Sequence, residues 1–299
     1  MKSYKLSIRL MTYNHSPYIE EALKGIDIQE TDFDFEVVVG DDFSIDDTLS
    51  IIKCFSFSNP KLNLKVLDRR KGDSYHQKRQ KKGRLYNFVD TVIHCEGKYI
   101  ALLDGDDYWT DPLKLQKQMD FLENNPDYNI CFHRANMLKN GCQLELHPIP
   151  AISCNRDYLY KDLLEHYNFI LTASVVFKKP ENFIIPKWFT KLPFGDFGLY
   201  LLVSDNKKIK CLDDKMSVYR IHDRGVWSGL NQRAGKISYL QFYKNIYNAL
   251  DSAEKKVVRR KAEKLTREIA KSEFNNSRLK QLGYYFYLKL KTINLWSLN

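Results

Sequence analysis

The chain has 299 residues, 43% of them hydrophobic, and a formal net charge of +10. That is enough apolar material for one large domain or one and a half, and the basic excess suits anionic partners such as nucleotide phosphates, anionic lipid or nucleic acid. No apolar run reaches the roughly 18 residues of a membrane-spanning helix. We expect no signal peptide, and the six cysteines, which lack metal-type spacing, are expected to be reduced, mostly buried thiols of a cytosolic protein.

In the first half of the chain, predicted strands alternate with predicted helices. Apolar runs predict strands at 5–11, 35–40, 62–67 and 98–103. Helices are expected after Ser16-Pro17, as N-cap and first helical residue, and at 47–57, 85–95 and 113–123, whereas 69–83 is expected to be a long basic loop. This alternation predicts a mostly parallel, doubly wound α/β sheet with helices on both faces, in which ligands bind at the carboxyl ends of the strands.

The rest of the chain is less regular. Strands are expected at 129–138, 174–178, 209–212 and 217–221, helices at 157–167 and 197–204, and further helices from about residue 231 onward. We therefore predict a domain over 1–228, with a nucleotide-binding half at 1–126 and an acceptor half at 127–228. A helical C-terminal extension is expected at 229–299.

Three acids lie within four residues at the end of the strand 98–103: Asp104, Asp106 and Asp107. Like charges this close raise one another's pKa and destabilise a fold unless a cation offsets them. Mg²⁺ and Mn²⁺ prefer oxygen ligands and complete their coordination with water and substrate phosphates, and Gly105 would let the flanking carboxylates converge. The motif predicts a divalent-metal site for a phosphorylated substrate; the alternative is a turn with acids that cap the following helix.

Two more polar clusters follow predicted strands. Asp41-Asp42 ends the second strand, and because other capping residues precede the next helix, these acids are expected to be available for the N–H groups or ribose hydroxyls of a nucleotide. Tyr13-Asn14 follows the first strand and would lie beside the base, although an ordinary turn explains it as well. Three such clusters at one edge of one sheet predict a nucleotide pocket.

These motifs, in this order, resemble the family 2 glycosyltransferases with a GT-A fold. The resemblance is carried by SIRLMTYNHSPYIEEALKGIDIQ, FEVVVGDDFSIDDTLSII and GKYIALLDGDDYWTDPLKLQKQMDFLE, and it spans about 5–228. It implies an inverting transfer of a sugar from a nucleotide-sugar to an acceptor hydroxyl, with Mn²⁺ or Mg²⁺ as cofactor.

The resemblance also implies roles for individual residues. Asp42 matches the acid that reads the base, usually uracil, and Asp104 and Asp106 match the D-x-D that holds the ribose and the metal-bound diphosphate. The donor site is further expected to include Thr12, Tyr13, Asn14, Asp41, Arg84, Gly105 and Trp227, the metal site His222, and the acceptor site Asp107, Trp109 and Ser174.

Two later segments complete the resemblance. Asp196, in LPFGDF, matches the acid that opens the family's catalytic helix, and inversion needs one general base to deprotonate the acceptor hydroxyl; its alternative role is an N-cap. The segment YRIHDRGVWS looks like the family's Y-R-x-H…G-x-W-S, in which His222 could complete the metal shell and Trp227 could close over the donor. A structural histidine explains His222 equally well.

We therefore predict a hexosyl- or N-acetylhexosaminyl-transferase at the cytoplasmic side of the cell, with a UDP-sugar donor and a glycan or lipid-linked glycan acceptor in bacterial surface polysaccharide synthesis. The segment 279–291 mixes aromatics and lysines, which fits either a packed helix or a peripheral membrane contact. One alternative is a nucleotidyltransferase, which usually needs a glycine-rich phosphate loop that 11–17 lacks. The other is a basic nucleic-acid-binding protein, against which the few aromatics in 69–84 argue.

Overall fold

The computed structural model describes residues 4–139, 141, 144–147, 153–223, 225, 229–273 and 281–286. The chain divides into two compact units, one of Met1–Ile185 with Gly195–Ile221 and one of Pro186–Phe194 with His222–Asn299. The β-sheet lies in the first unit, and the last two long helices lie in the second.

The first unit begins with the predicted alternation of strands and helices. Its first elements are β1 (Leu6–Thr12), α1 (Ile19–Asp27), β2 (Phe35–Asp41), α2 (Thr48–Cys54), β3 (Leu62–Val66), α3 (Ser74–Lys82), α4 (Leu85–Ile93) and β4 (Tyr99–Asp104). β1 pairs in parallel with both β2 and β4, and β2 pairs in parallel with β3. The predicted parallel sheet is confirmed for this half of the chain.

The second half of the unit extends the same sheet. Its elements are β5 (Tyr108–Trp109), α5 (Lys114–Asn124), β6 (Tyr128–Lys139), β7 (Leu144–Leu146), α6 (Tyr160–His166), β8 (Val176–Lys178), α7 (Asp196–Val203) and β9 (Lys208–Ile221). The strand order is β3-β2-β1-β4-β8-β6-β9-β5, with β7 on β6, and β8 is antiparallel to both its neighbours. The two strands predicted at 209–212 and 217–221 form the single strand β9. The polar residues between them lie in a bulge of β9 opposite β6.

Alternation along β1 explains why helices cover both faces of the sheet. Leu6, Ile8 and Leu10 point into a core that also contains apolar residues of α1 and α5. Arg9 points to the opposite face, where its guanidinium lies 4.8 Å from the ring centroid of Phe88 on α4. Successive side chains of a strand point to opposite faces of the sheet. When helices cover both faces, the sequence of the strand is a nearly continuous apolar run.

The second unit contains α8 (Gln232–Ile246) and α9 (Ser252–Glu273), and residues 281–286 are also helical. Asn231 caps the start of α8, because its side chain accepts a hydrogen bond from the Ala234 N–H at 2.9 Å. Its buried residues Phe242 and Ile246 contribute to the core of this unit. Within the described residues, no helix combines the length and the apolar character needed to cross a membrane.

Two local predictions are wrong. α1 begins at Ile19 rather than after Ser16, because the N–H groups of Tyr18 and Ile19 both donate to the carbonyl of His15 and form a separate turn first. The segment expected to be a basic loop contains α3: Asp73 caps its start by accepting from the His76 N–H, and Gly83, at φ +83°, ends it.

The cysteine prediction is also wrong for one pair. Cys154 and Cys211 form a disulfide, whereas Cys54, Cys95 and Cys131 are free thiols. The pairing follows from the bridge between Tyr158 and Ile209, which brings together two segments that lie 57 residues apart. Such a contact leaves no sign in cysteine spacing.

Candidate active site

The carboxyl ends of β1, β2 and β4 lie side by side at one edge of the sheet, which we call the donor edge. Thr12 is in register with Asp41 and Met11 with Asp104, and the Gly105 N–H donates to the Met11 carbonyl at 2.9 Å. The three polar clusters expected at strand ends are therefore adjacent. Parallel pairing causes this, because it puts equivalent strand ends on the same edge.

The three acids after β4 have different surroundings. Asp104 keeps 28% of its side chain exposed and accepts a 2.6 Å hydrogen bond from Arg9, and Asp106 keeps 20% exposed and lies 3.7 Å from Nε2 of His15. Asp107 is buried and accepts from a backbone N–H of β9. Burial, and then the charges of Asp106 and Asp104, raise the pKa of Asp107 well above its usual range. Asp104 and Asp106 are the two acids of this turn that reach solvent.

Asp41, at the end of β2, is engaged within its own turn. Its carboxylate accepts from the Ser44 N–H at 2.9 Å and from the Ser44 hydroxyl at 2.5 Å. Ser44 therefore bonds to Asp41, whereas Asp46 accepts from the Thr48 N–H at the start of α2 at 3.1 Å; a contact of Asp41 with the nucleotide stays a prediction. Asn14, at φ +54°, accepts from the Ile45 N–H at 2.9 Å and ties the loop after β1 to the same turn.

Asp42, the residue after β2, faces α3. Its carboxylate receives two charge-assisted bonds from Arg79, from Nε at 2.9 Å and from Nη2 at 2.7 Å, and one from the Tyr75 hydroxyl at 3.2 Å. A bidentate pair of this kind fixes both side chains in one plane. The acid expected to read the base is thus held in a defined orientation by the helix that replaces the expected loop.

Asp196 is the first residue of α7 and accepts a 2.6 Å hydrogen bond from Asn168. Burial, opposed by the hydrogen bond from the Phe197 N–H and reinforced by the negative charge of Asp104, raises the pKa of Asp196 to about 6. The two carboxylates therefore share one electrostatic environment. An acid with this pKa is ionised at neutral pH and is still basic enough to accept a proton.

Arg84, immediately before α4, lies in the same field. Desolvation and the charge of Arg79 lower its pKa, while the charge of Asp196 raises it. Tyr13 keeps 52% of its surface exposed beside the donor edge, whereas Thr12 is buried. These placements put an arginine in the electrostatic field of Asp196 and an exposed aromatic ring at the end of β1.

Residues 7–149 match the sequence model of Glycosyl transferase family 2. The chain therefore contains a segment of this family at residues 7–149. It is 36% identical over 224 residues to Rv1520 of Mycobacterium tuberculosis, which corresponds to 74% of this chain and 60% of that protein. The chain thus spans about 60% of the length of this curated relative.

Solved structures of glycosyltransferases share the fold of this chain. TarS of Staphylococcus aureus, a poly(ribitol-phosphate) beta-N-acetylglucosaminyltransferase, matches at 36% identity over 107 residues, 35% of this chain and 16% of TarS. TarS 1–349 in complex with UDP-GlcNAc has a TM-score of 0.57 at 19% identity, over 92% of this chain and 74% of that chain. The mannosyltransferase PcManGT from Pyrobaculum calidifontis, in complex with GDP-Man and Mn²⁺, has a TM-score of 0.54 at 15% identity, over 99% and 82%. The predicted GT-A fold is confirmed.

The family's metal can be tested against the residues present. Among the described residues, no group of three or more His, Cys, Asp or Glu side chains is arranged to hold a metal ion. Asp104 and Asp106 nevertheless supply hard oxygen donors, and Thr12 Oγ1 and His15 Nδ1 are buried beside Gly105 without a hydrogen-bond partner in the described structure. This set fits Mn²⁺ or Mg²⁺ bound by one or two carboxylates, with diphosphate and water completing the coordination.

The residues expected at the acceptor are all buried. Trp109 donates from Nε1 to the Ala173 carbonyl at 2.8 Å, and the Ser174 hydroxyl donates to the Leu171 carbonyl at 2.8 Å. Asp107 is likewise buried, as described above. Since none of the three presents its side chain to solvent, we do not propose them as acceptor contacts and assign them to the support beneath the site.

The structure adds two arginines that the sequence interpretation missed. Arg9 is fully buried on β1 and holds Asp104. Arg220 donates to the Asp106 carbonyl at 2.7 Å and to Glu21, and its guanidinium lies 4.7 Å from the ring centroid of Tyr18. Both residues fix the position of the turn that carries the accessible acids. Charged residues inside predicted apolar strands were the signal that could have identified them.

The segment after β9 is only partly described. His222 is buried and belongs to the second compact unit. Trp227 lies outside the described residues. Their expected roles at the metal and over the donor remain predictions.

Proposed function

We propose that this glycosyltransferase moves a sugar, with inversion, from a UDP-sugar to a hydroxyl group of a glycan or lipid-linked glycan in bacterial surface polysaccharide synthesis. The observation that carries the proposal is Asp196, a carboxylate with a pKa of about 6 in the electrostatic field of Asp104. An inverting transfer needs one such base next to the donor site, and a retaining transfer would not use it in this way.

In the proposed reaction, Asp196 accepts the proton of the acceptor hydroxyl as its oxygen forms a bond to the anomeric carbon. The bond from that carbon to the diphosphate oxygen breaks, and the electron pair leaves with the nucleoside diphosphate. Asn168 orients Asp196 by donating to its Oδ2 at 2.6 Å. When bound through Asp104 and Asp106, Mn²⁺ or Mg²⁺ offsets the charge that develops on the diphosphate.

The donor is proposed to be a uridine nucleotide. A carboxylate at the position of Asp42 can accept from the N–H of uracil, and Arg79, which already contacts that carboxylate, offers donors for a carbonyl oxygen beside it. Tyr13 supplies an exposed aromatic ring for stacking. TarS was solved with UDP-GlcNAc and PcManGT with GDP-Man, so the fold alone accommodates either base.

The acceptor and the location are proposed from the family and from charge. TarS acts on poly(ribitol-phosphate), which supports a polymeric, anionic glycan for this chain as well, and the net charge of +10 suits such an acceptor. We assign catalysis to 1–228 and propose a cytoplasmic enzyme that works at the inner face of the membrane.

Calorimetric titration of UDP and GDP, each with Mn²⁺ and with a chelator, tests the donor proposal. We expect UDP to bind only with Mn²⁺, and equal or tighter binding of GDP would move the donor to GDP-sugars. A second assay follows UDP release from UDP-sugars in the presence of glycan acceptors. The Asp196→Asn variant should bind UDP as the unchanged protein does but should form no UDP from a UDP-sugar. Ordinary turnover by this variant would exclude Asp196 as the base.

A further inference from the structure

The exposed face of α9 is strongly basic. Its cations recur at spacings of three or four residues, so they lie in one row along the helix. We call this row the α9 stripe: Lys256, Arg260, Lys264, Arg267 and Lys271. At 1.5 Å per residue the stripe is about 22 Å long.

Few acidic side chains lie close enough to the α9 stripe to neutralise its positive charge. Glu263 is an exposed acid of the same helix and lies 3.7 Å from Arg267, and Glu268 is paired with Lys236 of α8. Arg259 adds a further exposed cation beside the row. Within the described residues, no carboxylate lies within 4 Å of the charged nitrogen of Lys256, Arg260, Lys264 or Lys271.

The opposite face of α9 holds the stripe in place. Val258, Leu265 and Ile269 are buried in the second compact unit. A helix that buries one apolar face has a fixed rotation. Packing of the apolar face therefore keeps the α9 stripe exposed to solvent.

An exposed apolar pair adjoins the stripe. Tyr285, in the helical segment 281–286, has its ring centroid 5.7 Å from the guanidinium of Arg267. On the same segment, Leu282 and Phe286 lie one helical turn apart and keep 52% and 54% of their surfaces exposed. The structure thus places two exposed apolar side chains next to a row of cations.

We propose that the α9 stripe, together with Leu282 and Phe286, docks the protein on an anionic phospholipid surface. Cations near such a surface are attracted to its headgroups, and apolar side chains beside them enter the interface between headgroups and acyl chains. Nucleic acid would be attracted by the same charges, but α9 itself has no aromatic residue for base stacking, and the exposed Leu282 would have no partner there.

Vesicle co-sedimentation tests this proposal with the full chain. The vesicles contain phosphatidylcholine alone or phosphatidylcholine with phosphatidylglycerol, at about 0.05 M and about 0.5 M salt, where the screening lengths differ about threefold. We expect binding to the anionic vesicles at low salt, loss of binding at high salt, and no binding to phosphatidylcholine alone.

Matched variants locate the surface. Neutralising three stripe positions should weaken vesicle binding about a hundredfold, whereas neutralising three exposed lysines on other elements should leave it near the original value. The stripe variant carries Lys256→Gln, Arg260→Gln and Lys264→Gln; the control carries Lys53→Gln, Lys161→Gln and Lys187→Gln. A third variant, Leu282→Ser with Phe286→Ser, should bind anionic vesicles more weakly with an unchanged salt dependence.

Circular dichroism and thermal unfolding check that each variant is folded. Equal vesicle binding by the stripe and control variants would overturn the proposal, as would failure of the unchanged protein to bind anionic vesicles at low salt. Binding to random-sequence DNA without binding to vesicles would also overturn it, in favour of a nucleic-acid surface. Each of these results is independent of whether sugar transfer is observed.

Discussion

Replacing Arg9 with methionine removes the guanidinium that holds Asp104 but keeps a long apolar side chain against Phe88. Arg9 is 0% exposed, and its hydrogen bond to Asp104 measures 2.6 Å. Its Nε and Nη2 atoms are buried without a hydrogen-bond partner in the described structure. The substitution therefore removes one strong bond and two unsatisfied donors together.

These effects nearly cancel in stability. The charge-assisted bond contributes about 1.5–3 kcal/mol, and each unsatisfied buried donor costs about 1–3 kcal/mol. Asp104, with 28% of its side chain exposed, can be hydrated once Arg9 is gone. We expect the free energy of unfolding of Arg9→Met to stay within about 2 kcal/mol of the original. Donor binding should suffer more, because Asp104 loses its fixed orientation: a tenfold to hundredfold weaker affinity for UDP with Mn²⁺ corresponds to about 1.4–2.8 kcal/mol.

Denaturant unfolding and UDP calorimetry measure the two quantities separately. Arg134→Met is the matched control, since Arg134 bonds to Asp213 at 2.6 Å on a different strand, and it should leave UDP affinity unchanged. The reasoning is refuted if Arg9→Met binds UDP as tightly as the control does. It is also refuted if Arg9→Met loses UDP binding only because it is largely unfolded.

Three further predictions follow from the structure. Asp106→Ala should abolish the Mn²⁺ dependence of UDP binding, and affinity that still responds to Mn²⁺ would exclude Asp106 as a ligand. Gly25→Ala should lower the free energy of unfolding by about 2 kcal/mol or more, because its Cβ would lie 2.7 Å from backbone atoms of Trp109. Gly235→Ala, whose Cβ would have no atom within 4 Å, should raise the free energy of unfolding by about 1 kcal/mol. Equal effects in thermal unfolding would contradict the packing argument. Lys114→Met should stabilise the protein by about 2 kcal/mol at neutral pH, because burial lowers the pKa of Lys114 to about 7. The unfolded chain holds that proton up to about pH 10, so the stability of the original protein should rise between about pH 7 and 10, and that rise should vanish in the variant.

The donor edge was predictable because it depends on local patterns. Apolar runs ending in Asp41, Asp104 or Tyr13 identify both a strand and the point where its chain leaves the sheet, and parallel pairing then brings those points together. The helix α3 was missed although Asp73 and Gly83 mark its ends. Its residues are mostly polar or charged and show no apolar periodicity, which is the signal that a helix prediction uses.

The parts that escaped prediction depend on contacts between distant residues. Arg9 and Asp104 are 95 residues apart, and nothing near Arg9 in the sequence indicates its partner. Trp109 and Ser174 are residue types common in binding sites, but only the packed structure shows that both are buried. Likewise, the pKa of Asp196 depends on burial and on the charge of Asp104, so the sequence could suggest its role but not its basicity.

The pH dependence of kcat/KM for sugar transfer tests the central claim, that Asp196 is the base of a glycosyl transfer. Because the ionised carboxylate is the active form and its pKa is about 6, kcat/KM should rise with pH, pass half of its plateau near pH 6, and stand at about one tenth of the plateau near pH 5. Asp196→Asn should show little activity and no such rise, with UDP affinity retained. A profile that is flat from pH 5 to 8, or the same rise in Asp196→Asn, would contradict the account.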